Sequence, residues 1–169
     1  MNQENLSRFV QLFTLNDAES TQRMSEQLAL VLRDPAVYQT QFADELAERD
    51  IVAELPAHEL RDVALIDALL SEELVWECDW QDTAASLVVG INEILMQQRR
   101  TRWPDRPSYD SATGPEALDI VQELLEPAGL ALVLLMLDSD SYALSVVADA
   151  QAEEARQLAR ELGFGLTVY

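Results

Sequence analysis

Lysine is absent: all 11 basic residues of the 169-residue chain are arginine. Schiff-base chemistry and a phosphate-binding P-loop both need a lysine, so both are excluded. Cysteine and histidine occur once each, as Cys78 and His58. One cysteine cannot close an intrachain disulfide, which suits a reducing compartment. One histidine and one cysteine are too few for a soft-ligand zinc site. The start, Met1-Asn2-Gln3-Glu4, has neither the basic nor the apolar region of a secretory signal. The longest apolar stretch, Gly129 to Leu137, is far short of the roughly 18 residues that suggest a membrane span. A cytoplasmic protein with no membrane association is expected.

What is abundant is negative charge. There are 31 acidic residues against 11 basic ones, a formal net charge of -20. Such a chain repels phosphate backbones, so nucleic acid is not an expected partner. The charge favours solubility, and it would speed association with a basic protein. The apolar share, 49%, is ordinary for a folded chain, and the length predicts one domain over 1–169.

Apolar spacing divides the chain. Residues 1–55 read as a helical portion. Leu6, Phe9, Val10 and Phe13 share one helical face. Asn16 and Glu19 form a capping-box pattern for a second helix carrying Met24, Leu28 and Val31. Asp34-Pro35 begins a third, with Tyr38, Phe42 and Leu46 at four-residue spacing. From 56 onward an α+β core is expected. Pro56 opens a helix with Leu60, Val63, Ile66 and Leu70 inward. Leu74 to Cys78 is a short strand, and Asp82 is placed to cap the helix that buries Leu87, Ile91 and Leu95. Arg99 to Gly114 is a loop holding Arg99, Arg100, Arg102 and Arg106. A further helix from Gly114 ends near Pro127 and Gly129. Leu130–Leu137 and Tyr142–Ala148 form a hairpin about the Asp138-Ser139-Asp140-Ser141 turn. Asp149 is placed to cap the last helix, Gly163 to end it, and residues 164–169 to form a final strand. The predicted fold class is α+β: a helical N-terminal half, then a roughly four-stranded sheet in the order β-α-α-β-β-α-β, with helices packed on one face.

Few residue groups suggest chemistry. The Asp138-Ser139-Asp140-Ser141 stretch after an apolar strand looks like the first motif of haloacid-dehalogenase phosphatases, where the first Asp is the nucleophile and the second a general acid. That chemistry also needs a downstream lysine, and only 29 residues follow Asp140. A calcium-loop reading fails, because Ala143 stands where glycine is needed and Asp149 where glutamate is needed. The alternative for the segment is a turn whose side chains bond the local backbone. Cys78 and His58 are the residue types of a nucleophile pair, but Cys78 reads as a small buried residue and His58 as an exposed one. Asp79 and Asp82 bracket Trp80 where a strand meets a helix; they suit either a cation or a helix cap beside a packed ring. Arg102 and Trp103 in the arginine loop are of the types enriched at protein interfaces.

The elements Asp79-Trp80-Gln81-Asp82, Leu137-Asp138-Ser139-Asp140-Ser141-Tyr142 and Glu161-Leu162-Gly163-Phe164 resemble a family of uncharacterised bacterial proteins, a domain of unknown function. The resemblance covers roughly residues 60–169 and implies the fold but no activity; the N-terminal helices look less typical of it. No catalytic, cofactor-binding or metal-binding residue is expected. The leading expectation is a non-enzymatic acidic module that binds a basic protein. Its most concrete form is an immunity-type or antitoxin-like inhibitor of a basic bacterial toxin. Asp79, Trp80, Asp82, Asp138, Asp140, Arg102 and Trp103 are the candidate contacts. The alternatives are a carboxylate-lined metal or small-molecule site, that is, an enzyme, and a homo-oligomeric scaffold.

Overall fold

A computed structural model describes residues 2–101, 111–137 and 140–169. The helical portion begins with α1 (Gln3–Thr14), capped by Asn2, whose side chain accepts the Glu4 and Asn5 amides. Helix α2 (Ala18–Arg33) follows a tight turn in which Leu15 and Asn16 are both left-handed. Asn16 therefore does not cap α2. A cap needs extended backbone, and Asp17 supplies it, its Oδ1 accepting the Ser20 amide at 2.9 Å. The expected single helix after Pro35 is two: α3 (Pro35–Gln41) and α4 (Ala43–Ala47), broken at Phe42. The Phe42 ring stacks on Tyr38 at 4.4 Å. Helix α5 (Ala57–Ser71) buries Leu60, Ala64, Leu65, Ile66 and Leu69; Leu70, expected inside, is exposed.

The strands are β1 (Trp76–Asp79), β2 (Leu130–Met136), β3 (Ser141–Ala148) and β4 (Thr167–Val168). They form one antiparallel sheet in the order β1-β3-β2-β4. The expected hairpin is β2–β3. Strand β1 starts two residues later than expected because Leu74 and Val75 turn into the core, where Ser145 Oγ donates to the Leu74 carbonyl at 2.6 Å. Between the strands run α6 (Ala84–Gln97), α7 (Gly114–Leu125) and α8 (Ala152–Leu162). Thr83, not Asp82, caps α6, by accepting the Ser86 amide. Asp149 opens a 3-10 turn, Asp149–Gln151, and makes no side-chain cap bond. Gly163 ends α8 with φ 83°, as its position predicts. The last strand is only two residues long, and Tyr169 follows it by donating its amide to Leu132 O.

The α+β class and the four-stranded sheet stand. The helices, however, cover both faces of the sheet rather than one. On one face Ala131, Val133, Leu135, Ala143 and Val147 meet α1, α5 and α8, with α2 behind them. On the other, Leu130, Leu132, Tyr142, Leu144 and Val146 meet α6 and α7. The reason lies in β2 and β3 themselves. Both are apolar at odd and even positions alike, and a strand apolar on both sides must be covered on both. Gly90 of α6 makes that second layer tight: an added Cβ there would lie 2.2 Å from Trp76 Cγ.

Among the described residues no helix is long and apolar enough to cross a membrane.

Candidate functional site

The turn after β1 is built from its own side chains. Asp79 Oδ1 accepts the Gln81 amide at 2.8 Å, and Asp82 Oδ2 accepts the Asp79 amide at 2.9 Å. The Asp82 amide in turn donates to Asp79 O. Asp82 thus closes the end of the edge strand instead of capping a helix. Trp80 joins this turn to both neighbouring loops: its amide donates to Asp140 O at 3.2 Å, and its carbonyl accepts the Gly114 amide at 3.0 Å. Its ring packs on Tyr142 at 4.4 Å, tilted by 45°. The Asp79-Trp80-Gln81-Asp82 stretch and Asp140, distant in the sequence, therefore meet at one end of the sheet. Asp138, Arg102 and Trp103 lie outside the described residues.

Beside that turn opens a groove of about 740 Å³ on the α5 side of the sheet. The segment between α4 and α5, the first turns of α5 and the ends of β1, β2 and β3 enclose it. Among the described residues its carboxylates are Glu48, Glu59, Asp62, Glu77, Asp79 and Asp82, and its single cation is Arg49. Arg49 is already committed. Its Nε donates to Asp67 Oδ1 at 2.7 Å, and its Nη2 meets both Asp67 and Glu77. That clasp ties the α4–α5 segment to α5 and to β1. Burial pushes the Asp67 carboxyl above the usual range, partly opposed by Arg49. Asp62 is also raised by burial, although its Oδ1 accepts the Gly165 amide at 2.7 Å.

Arg49 is not alone in being used internally. Arg8 forks onto Glu154, Arg23 onto the buried Glu72, and Arg61 donates to Gly163 O. Arg156 donates to Val168 O and Glu153, and Arg100 to Gln98 Oε1. These arginines are spent on holding elements together, which leaves the carboxylate excess on the surface.

Cys78 and His58 are not a catalytic pair in form. Cys78 is buried against α6, its Sγ set on Trp76 O, and burial pushes its thiol up to about 12. A thiol so raised carries almost no thiolate at neutral pH. His58 is exposed in the first turn of α5, 3.8 Å from Glu59. Among the described residues no three carboxylate, thiol or imidazole groups are gathered as a metal ion requires.

Sequence reasoning named Asp79 and Asp82 as candidate contacts at this end of the sheet but did not name Glu48, Glu59, Asp62 and Glu77, which line the same groove. They come from three segments, and no local spacing links them.

The chain is thus an α+β protein whose antiparallel sheet carries an acidic groove at one end. It belongs to the family of the domain of unknown function DUF6630, which matches residues 5–169. The match begins in α1, so the N-terminal helices are part of the family's domain, in contrast to the shorter resemblance read from residues 60–169. Comparison with curated proteins and with solved structures gave no match.

Proposed function

We propose that this protein is a non-enzymatic binding module that receives a basic protein in its acidic groove. The observation that carries the reading is the charge arrangement: among the described residues six carboxylates line the groove, and the one guanidinium there is held by Asp67 and Glu77. The net charge of -20 extends the same attraction over the whole surface. Charge of one sign in a concave site raises the encounter rate with a partner of the other sign, while packed anchors determine how long the complex lasts. An immunity-type or antitoxin-like inhibitor of a basic toxin is the narrowest form of this reading.

The test is a pull-down from native lysate at low salt, followed by kinetics on what is recovered. A basic protein retained in stoichiometric amount and released by salt supports the reading. Glu48→Gln with Glu59→Gln removes two exposed groove charges that hold no part of the fold together. That variant should associate several-fold more slowly, with a shallower salt dependence. An association rate equal to the wild type would sink the groove as the steering surface.

A further inference from the structure

The groove is not acidic throughout. Ile51 and Leu55 from the α4–α5 segment, Val63 of α5 and Leu137 at the end of β2 also line it. Each packs against the main core yet remains only partly buried. The same four side chains therefore complete the core below and present apolar surface above. Exposed Glu48, Glu59, Glu77 and Asp79 stand around them. An apolar floor with a rim of one charge discriminates among cationic partners. A purely charged segment would satisfy the rim and leave the floor wet. A segment with apolar side chains between its cations would cover both.

Two other features fall short of this. The outer edge of β1 offers little backbone to a visiting strand, because Asp82 already bonds both the amide and the carbonyl of Asp79. The groove between α1 and α2, lined by Leu6, Thr21, Ser25 and Ala29, carries no charge pattern that selects an occupant.

We infer that the groove docks an amphipathic basic segment of a partner protein, with an apolar side chain seated on Ile51, Leu55, Val63 and Leu137 and with arginine or lysine flanks on the carboxylate rim. The inference rests on the proposed binding function and sharpens it: charge brings the segment in, and the apolar floor decides which segment stays.

The experiment uses the full chain and two synthetic peptides of equal charge. In one, arginines alternate with leucines; in the other, serines replace the leucines. Titration calorimetry at physiological salt should give the leucine peptide at least about tenfold tighter binding, the worth of one buried apolar side chain. Leu55→Gln should reduce that preference several-fold. Val63→Thr, which keeps the shape and replaces one methyl with a hydroxyl, should do the same, with folding checked by its melting curve. Equal affinity for the two peptides overturns the inference and leaves the charge-based function standing. So does a leucine preference that both variants retain in full. If neither peptide binds but a basic protein is recovered from lysate, the partner docks elsewhere and the inference is again overturned. If neither binds and no basic protein is recovered, the inference and the function fall together.

Discussion

Two single residues show how closely the second layer of helices is fitted. Gly90 lies against the indole of Trp76, and the space for a methyl group is already taken by the ring. Gly90→Ala gains helix propensity but must push Trp76 or α6 outward. Overpacking of this kind costs about 1–3 kcal/mol, more than the roughly 1 kcal/mol that alanine gains over glycine in a helix. A urea titration followed by tryptophan fluorescence should show a lower midpoint; an unchanged midpoint would mean that the indole moves freely. Cys78 gives the second residue-level prediction. With its thiol buried and raised to about 12, it should resist an aromatic disulfide reagent at pH 8 in the folded protein and react fully in denaturant. Rapid labelling of the native protein would show that the site opens. The burial of Cys78 is legible from its place among the apolar residues of a strand; the fit at Gly90 is not. Gly90 reads as an ordinary, mildly unfavourable helix residue, and only the sheet behind it explains why no side chain fits.

Individual elements are held by polar ties whose partners lie far apart in sequence. Gln122 of α7 is the clearest. Its Oε1 accepts the Leu132 amide at 2.8 Å, on the side of β2 where β4 has run out. Gln122→Leu would leave that buried amide without an acceptor, a loss of about 1–3 kcal/mol. Chemical denaturation should show the full loss, and amide exchange should show Leu132 less protected. The Arg49 clasp acts at the same scale. Arg49→Ala leaves Asp67, mostly buried, without its cation. Because Glu77 and Arg49 retain some solvent, the expected cost is about 2 kcal/mol, below the 3–5 kcal/mol of a fully buried broken pair. Asp67→Asn should cost less, since burial already disfavours that charge. If the two variants prove equally destabilising, the clasp does not work through the Asp67 charge. The elements themselves were largely readable: the helical faces, the hairpin and the Gly163 stop all follow local rules. Their ends were not. Asn16, Asp82 and Asp149 each look like a cap, and in each case the neighbouring backbone gave the position another role.

Across the whole molecule the excess of carboxylates sets the response to pH and salt. Asp62 and Asp67 have folded-state values raised above 3.8 by burial. A raised carboxylate holds its proton more tightly in the folded state. Its contribution is therefore fully present below the unfolded value and is lost as the pH rises through the folded one. Asp17 and Glu154 are lowered and act in the opposite sense, losing their contribution as the pH falls through their folded values; Asp17 is exposed and Glu154 half-buried, so solvent screens both. Acidification also relieves the self-repulsion of a chain at -20. The melting temperature should thus rise as the pH is taken from 8 toward 5, and added salt at pH 8 should raise it as well. A melting temperature that falls over that pH range would show that paired carboxylates outweigh the buried and repelling ones.

The sequence by itself determined the class of the fold, the negative charge, the absence of lysine and the single cysteine and histidine. These follow from composition and from periodicities that act within about ten residues. It also placed Asp79, Trp80 and Asp82 at a turn beside the sheet. Tertiary structure alone decided that helices cover both sheet faces. The apolar residues of β2 and β3 show that both sides are buried, but not which helix goes where. It alone gathered Glu48, Glu59, Asp62 and Glu77 around Ile51, Leu55 and Val63. Carboxylates have no periodicity that marks a shared groove, because each is placed by the packing of a different element. The site exists only once the three segments have come together.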